Sequence, residues 1–590
     1  MKARDGGMKL LSKLMFRLLP IQILLAAVGA VNGIVSSFFA SNYVGIDAMS
    51  AVGLYSPINM LINALSTMLQ GGSVILCGKA MGQNQRKKLQ NVFSLDLAIS
   101  SLIAAAFAGL FLVLGLFDLN GFMTRSPAVR ALFNRYMLGQ AIGLFPLILG
   151  NQLSAFLSIE NKGRRTMIAS LVYIAVNVAL NFLFVQVMRM EAFGLALASS
   201  LGLWVFLAVQ APCFLKGKSQ FRIAPRRLRW GNLGEIIRVG LPGALSNIYQ
   251  TARGLICNWL LEIFVGTVGI SAFATADNLL RVFWAVPIAM LAVSRMMISV
   301  SIGEEDRQTL TDVMRVMFRR FIPLMGLISA GIILCADPLT RLFYRDSAEQ
   351  VYTMTRAGFR ILPICMPLSI ICMHFTCYGQ ASGKEGLVHV LSLLDGVVCV
   401  AGFTALLIRV MGMNSVYVAN ILNGVVCLLA VVIYARIKKR RFPRNMDELM
   451  VVPEDFGAPE SERMDLTIRD MEDVVTISRQ VQRFCEERGV DRRRAYLSGL
   501  AMEEMAGNIV DHGFSKDRKR HSVEARVVHK GDDVILRLKD DCVPFDPGER
   551  QKLAEDDDPV KNIGIRMVFR MSRDVQYQNI LGLNVLTIRI

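Results

Sequence analysis

Long apolar runs, broken at intervals by short basic clusters, fill the first 440 residues of the chain. A helix needs about 20 such residues to cross a hydrocarbon core, and the pattern predicts about twelve spans. They fall near residues 16 to 40, 50 to 78, 92 to 117, 132 to 157, 167 to 188, 192 to 215, 237 to 264, 268 to 302, 318 to 337, 356 to 380, 386 to 409 and 413 to 436. Beyond them the periodicity changes. Alternation in "SVEARVVH" and "DVILRLK" predicts strands, whereas 470 to 489 and 492 to 513 repeat with the helical period. A strand at "MDLTI", a short helix after Pro547, a helix from about 563 to 572 and closing strands at "DVQYQ" and "NVLTIRI" complete this unit. The expected fold is an all-α polytopic membrane bundle followed by an α/β sandwich, a largely antiparallel sheet with helices on one face. Residues 445 to 463 are acidic, contain Pro453 and Pro459 and lack periodicity, so they read as a linker between domains at 1 to 444 and 464 to 590.

Composition agrees with the pattern. The chain is 53% hydrophobic and only 19% charged, against roughly 25% for a soluble domain. Its net charge of +18 first suggests a nucleic-acid partner, and the placement of the basic residues argues against one. Lys79, Arg86, Lys87 and Lys88 follow the second span, Lys162, Arg164 and Arg165 the fourth, Lys216 to Arg229 the sixth, and Lys438 to Arg441 the last. Loops rich in Lys and Arg stay in the cytoplasm, which predicts a multi-pass plasma-membrane protein with both termini cytoplasmic and basic loops against anionic lipid head groups. Arg125 and Arg130 fit this rule less well. The basic N-terminal stretch has no small-residue cleavage site and reads as a retained anchor. Nine of eleven cysteines lie in or beside apolar spans and none forms a CxxC pair, as expected of buried small hydrophobes rather than a disulfide or zinc framework. The only "GKS", Gly217 to Ser219, has Pro212 where a P-loop needs glycine, which disfavours an ABC-type pump.

Residues 44 to 89 align without a gap to 265 to 310. Val44, Gly45, Ser50, Ala51, Ser73, Gly82, Arg86 and Leu89 meet identical residues at Val265, Gly266, Ser271, Ala272, Ser294, Gly303, Arg307 and Leu310. Two parallel six-helix halves follow, about 1 to 230 and 231 to 444, around a cavity near the membrane midplane. With "LLPIQILLAAVGAVNGIVSSFFASNYVGIDAMSAVGLYSP", "SIENKGRRTMIASLVYIAVNVALNFLFV" and "VGLPGALSNIYQ" in this order, the first 440 residues resemble the multidrug and toxic compound extrusion (MATE) transporters. The resemblance implies two lobes, alternating access, and export of small organic, cationic or amphipathic compounds driven by a Na⁺ or H⁺ gradient. Many members of that family carry an aspartate in the first helix where this chain has Ser36, which cannot change its charge. Asn32, Asn177, Asn181, Arg253, Glu262, Asp277, Arg281, His374 and Asp395 are the other intramembrane polar candidates. Asp277 and Arg281, four apart, can neutralise each other, asparagines commonly bond helix to helix, and Glu262 and Asp395 fit membrane ends equally well.

A polar helical stretch, "EEMAGNIVDHG", 503 to 513, places Glu504, Asn508, Asp511 and His512 on one face. "LKDDCVPFDP" and "VKNIGIRMV" follow. Asn508 can give Mg²⁺ a carbonyl oxygen, Glu504 can orient or deprotonate a hydroxyl, Asp540 can accept from an adenine amino group, and Gly564 lets phosphates approach a helix N-terminus. His512 and Asp541 join the candidate contacts. Residues 464 to 590 resemble the histidine-kinase and Hsp90-type ATPase superfamily, and within it the anti-sigma-factor serine kinases. The resemblance implies ATP and Mg²⁺ as cofactors, Glu504 as base, Asn508 as metal ligand, Asp540 as adenine contact and Gly564 in the phosphate loop. Cys542 and Lys561-Asn562 replace glycines of that family's pattern, so ATP binding could be weak or turnover lost. The expected protein is a transporter modulated by nucleotide or by an anti-anti-sigma-type partner. The alternative is a membrane-tethered kinase or sensor that transports nothing.

Overall fold

The computed structural model describes residues 11–27, 39, 46–122, 127–160, 162–215, 219–222, 228–344, 346, 349–514, 521–544, 547, 563–580 and 582–590. Residues 11–27 form helix α1. The bundle continues with α2 (Ile46–Gly82), α3 (Arg86–Leu116), α4 (Pro127–Ile159), α5 (Gly163–Val187) and α6 (Glu191–Leu215). Its second half contains α7 (Leu233–Phe264), α8 (Thr267–Gly303), α9 (Arg307–Leu334), α10 (Gln350–Ser382), α11 (Glu385–Met411) and α12 (Asn414–Lys439). Among the described residues ten helices are long and apolar enough to span a membrane. α7 has the length but carries Glu235, Arg238, Arg253 and Glu262, and the first expected span is described only in part. π-helical turns at Phe182–Val187, Met317–Phe321 and Leu394–Val398 end α5 and interrupt α9 and α11 respectively. Such turns are frequent at functional positions.

The internal repeat is visible in three dimensions. α2 and α8 are each 37 residues long and meet at the ends from which Gly82 and Gly303 close their respective helices. A Cβ on Gly82 would lie 2.5 Å from Val300 O, and one on Gly303 2.8 Å from Lys79 Cα. The two residues aligned in sequence are thus the ones that let the two backbones touch, because only glycine leaves room for such an approach. Gly72 and Gly240 bring α2 against α7 in the same way, facing the carbonyls of Ile236 and Met68.

The C-terminal unit comprises β1 (Arg463–Ile468), α13 (Met471–Glu486), α14 (Arg492–Asn508), β2 (Val523–Lys530), β3 (Asp533–Asp540), α15 (Ile563–Met571), β4 (Asp574–Ile580) and β5 (Leu583–Arg589). Asp470 and Asp491 start the first two helices by accepting from the Asp473 and Arg493 N–H groups. The strands form one antiparallel sheet in the order β1-β2-β3-β5-β4. Val523, Ala525, Val527, Val534, Leu536 and Leu538 point to the helices and make a core with Val474, Val481, Met502, Ala506, Ile565 and Val568. The helix expected after Pro547 lies outside the described residues.

The opposite face of the sheet is covered too. Glu524, Arg526, Arg537 and Lys539 alternate with the core residues and meet the α8–α9 turn, while Ile580 and Val585 join the core of the bundle with Leu11 and Leu14 of α1. Residues 445–463 lie along the same end of the bundle. Met450 and Val452 are buried there, and Arg307 donates to Asp447 and to the Pro453 carbonyl.

Candidate functional site

The stretch singled out at 503 to 513 ends α14 and turns into a π-helical segment at Ile509–Gly513. That change of winding leaves Asp511 and His512 exposed while Glu504 and Asn508 are half-buried. The Glu504 carboxylate presses on the first turn of α15, where a Cβ on Gly564 would collide with it. Positions 60 residues apart in sequence thus meet at a helix N-terminus, the end that favours negative charge. Asn508 is held by its amide, which donates to the Glu504 carbonyl at 2.7 Å. Asp540 ends β3 on the helix-facing side, nearly fully buried, and its Oδ1 accepts from Asn584 Nδ2 at 2.7 Å and from the Cys542 N–H at 3.0 Å. Burial raises the Asp540 carboxyl against the opposing effect of these two donors. The Cys542 side chain packs on Gly513, where a Cβ would come within 3.1 Å of its sulfur. Lys561 and Asn562 lie outside the described residues.

Asp541 faces away from this group. Lys13 of α1 donates to its Oδ2 at 2.9 Å, and His521 Nδ1 lies 2.8 Å from its Oδ1. Partial burial opposes its charge, but Lys13 and His521 prevail and hold it below the ordinary carboxylate range. The loop following the adenine-contact candidate is therefore tied to the first helix of the bundle.

The sheet docks on both turns of the internal repeat. Lys539 donates to Glu304 at 2.7 Å and to Asp306 at 3.3 Å, Lys530 to Glu305 at 2.6 Å, and Arg526 bridges Asp306 and Asp465. In the other half Gln578 donates to Asn84. A polar cavity of about 490 Å³ lies between the sheet and the two turns, lined in part by Asn84, Glu304, Arg526, Arg537 and Gln578. Burial alone would raise Asp306, but Arg526 and Lys539 beside it hold it well below the carboxylate range. Glu524, whose Oε1 has no hydrogen-bond partner among the described residues, behaves oppositely: burial pushes it up to about 7 in spite of Lys539 and Arg526.

A carboxyl raised on folding stabilises the docked form while it is protonated and ceases to do so as pH rises through its folded value. Docked-domain stability should therefore fall as pH increases from 4.5 through about 7, by a total of about 3 kcal/mol. Glu524→Gln should flatten this slope in pH-dependent thermal unfolding of the full-length protein. An unchanged slope would remove Glu524 from the interface energetics.

Within the membrane part, the structure sorts the remaining candidates. Asn32 and Ser36 lie outside the described residues. Asn177 and Asn181 are buried in α5, with Asn177 donating toward Ser199 of α6 and Asn181 to the Asn177 carbonyl. Arg281 donates to Asp277 at 2.9 Å, so the neutralising pair read from the sequence is present. Glu262 is exposed near the end of α7. Arg253 reaches the backbone carbonyl of Asp395, and the Asp395 carboxylate accepts from Asn423 at 2.8 Å beside the thiols of Cys372 and Cys427. His374 is buried between the Ile370 carbonyl and the Ser294 hydroxyl, each 2.8 Å away.

Sequence reasoning passed over three groups. One is Asp96 in α3, fully buried beside Ser73. Another is Lys13. The third is the docking set, for which a signal existed: the repeated turn reads "GQNQR" in one copy and "GEEDR" in the other, while Arg526, Arg537 and Lys539 occupy strand positions that ought to face solvent.

Comparison with known proteins adds a family model, MatE, which matches residues 23–183 and again 242–401. The two matches together cover more than half of the chain and fall one on each half. The chain belongs to the MatE family. Its last unit matches the histidine kinase-like ATPase domain over residues 469–590. Among curated relatives, the "Probable multidrug resistance protein NorM" of Listeria monocytogenes is 22% identical over 343 residues, 56% of this chain and 70% of the relative. The protein of the same description from Bradyrhizobium diazoefficiens is 23% identical over 350 residues, 57% of this chain and 73% of its own. Among solved structures, a mutant of the Vibrio cholerae MATE transporter VcmN superposes with TM-score 0.67 at 19% identity, covering 75% of this chain and 99% of that one. An outward-facing multidrug resistance MATE family transporter superposes with TM-score 0.64 at 21% identity, over 73% and 97%. These likenesses establish the fold of the bundle. This MatE-family chain is thus a multi-pass membrane protein with a histidine kinase-like ATPase domain seated on one end of its bundle.

Proposed function

We propose that this protein exports small organic compounds across the plasma membrane and that nucleotide binding in its C-terminal domain controls the export. Residues 1 to 444 act as the transporter, 445 to 463 as the connection and 464 to 590 as the regulatory domain, with the docked end cytoplasmic. The observation that carries the reading is the sheet lying across both repeat-related turns, with Arg526 and Lys539 on Asp306 in one half and Gln578 on Asn84 in the other. An element that grips both halves at one end opposes any motion that separates them there, and alternating access needs such a motion. The relatives described as probable multidrug resistance proteins support small organic molecules as the substrate class, and in this reading those molecules are cationic or amphipathic and a Na⁺ or H⁺ gradient drives their export.

The residues at the α14–α15 junction fit a nucleotide. Gly564 has no room for a Cβ at the end of α15 that favours anions, and Asp540 offers a buried carboxylate at a strand end. In this reading Asn508 holds Mg²⁺, Gly564 admits the phosphates, Asp540 meets adenine and Glu504 serves as base, as in an anti-sigma-type serine kinase whose target would be an anti-anti-sigma-type protein. His512, exposed beside the junction, and Asp541, tied to Lys13, flank the site; the latter links its occupancy to α1.

Mg·ATP should bind the full-length protein saturably in equilibrium dialysis, and Asn508→Ala should abolish the Mg²⁺ dependence. Efflux of a fluorescent organic cation from vesicles should change when Mg·ATP is supplied on the docked side. Equal rates with and without nucleotide would end the regulatory reading and leave the transporter reading intact.

A further inference from the structure

We infer that Asp96 is the proton-carrying carboxyl of this transporter. The inference rests on the transport reading above and assigns the coupling role that Ser36 cannot fill. Asp96 lies ten residues into α3, about 15 Å along the helix from Arg86 and about 6 Å inside the apolar span that begins near residue 92. It is fully buried. Its Oδ1 accepts from the Ser73 hydroxyl of α2 at 2.8 Å, and its Oδ2 has no hydrogen-bond partner among the described residues. An ionised carboxylate with one unpaired oxygen in that setting costs several kcal/mol, and protonation removes most of the cost. No described Lys, Arg or His forms an ion pair with it; the titratable neighbour is the Cys77 thiol one turn along α2, itself buried.

The internal repeat supplies a contrast that sharpens the assignment. Ser73 aligns with Ser294, and both hydroxyls are fully buried against one titratable side chain. Ser294 faces His374, whose two ring nitrogens are both engaged, whereas Ser73 faces a carboxyl with one oxygen left over. In the second half the side chain facing the serine has both its polar atoms engaged. The first half retains a group whose hydrogen-bonding is completed only by adding something to it. A proton fits better than Na⁺, because a sodium ion requires several oxygen ligands and, among the described residues, one hydroxyl alone is hydrogen-bonded to Asp96. The step balances simply: the carboxylate takes one proton from the side of higher proton activity and returns it to the other, with no further reactant.

Infrared spectroscopy of the full-length protein in membranes, with proteoliposome efflux alongside, tests this. The wild-type minus Asp96→Asn difference spectrum at neutral pH should contain the carbonyl band of a buried protonated carboxylic acid, and that band should shift in Ser73→Ala, which keeps the carboxyl but removes its hydroxyl donor. Efflux driven by an imposed pH gradient should be lost in Asp96→Asn and partly kept in Asp96→Glu. A difference spectrum without that band overturns the proposal, as does full pH-driven efflux by a folded Asp96→Asn protein. Should the wild type move no substrate at all, the transport reading fails, and the infrared band still decides whether Asp96 carries a proton. Efflux driven by Na⁺ alone, insensitive to Asp96→Asn, would overturn the coupling role.

Discussion

Arg526→Glu is expected to release the C-terminal domain from the bundle. Arg526 bridges Asp306, which is almost fully buried, and Asp465 on the neighbouring strand. Removing one partner of such a buried pair typically costs about 3–5 kcal/mol, and a glutamate adds repulsion from both aspartates. Lys539 and Lys530 remain on Glu304 and Glu305, but Lys530 and Glu305 are exposed and contribute little. The variant should become cleavable in the segment 445–463, where Met450 and Val452 are buried in the docked form, and its efflux should lose any response to Mg·ATP. Combining it with Asp306→Arg should restore part of the protection. Unaltered protease resistance of the single variant would mean that the apolar contacts of Ile580 and Val585 hold the domain by themselves.

Gly303→Val is the second change with a large expected effect, and it acts on the bundle rather than on the docked domain. The position faces the backbone of Lys79 at the end of α2, so a side chain there forces α2 and α8 apart. Overpacking of this kind costs about 1–3 kcal/mol, enough to move a two-state equilibrium about 5- to 150-fold away from the arrangement in which the helices touch. Cys77 reports on it. It is buried on α2, one residue from Gly78, whose missing side chain accommodates Ser299 of α8. Maleimide labelling of Cys77, read by mass spectrometry, should rise sharply in Gly303→Val. Labelling that stays at the wild-type level would show that this contact does not close that end. Gly82→Val, acting from the other half, should give the same result.

Much of this architecture was legible because the forces that build it are periodic. Apolar runs of spanning length fixed the helices of the bundle, strict alternation fixed β2 and β3, and the paired turns around Gly82 and Gly303 announced the duplication. Glu504 and Gly564 were each singled out in the sequence, but their direct contact at the start of α15 was not. What escaped notice has no period. Asp96 is one carboxylate in an apolar helix, and its weight comes from a missing partner, which a sequence does not display. Lys13 and Asp541 are 528 positions apart and become neighbours only after both domains have folded. The basic outer face of β2 and β3 was visible, but read alone it resembles any solvated strand. Only the acidic turn opposite gives it a meaning.

The contact of Gly82 with Gly303 has a consequence for how such a chain can change. Gly82 and Gly303 hold matching places in the repeat and each lies against the other half, so a side chain on either is felt first by the opposite helix end, at Val300 and Glu304 for Gly82 and at Lys79 for Gly303. The two turns could diverge, one to amides and the other to acids, because each looks outward to a different strand of the sheet. The two glycines face backbone of the opposite helix, and neither is free to drift until that helix makes room.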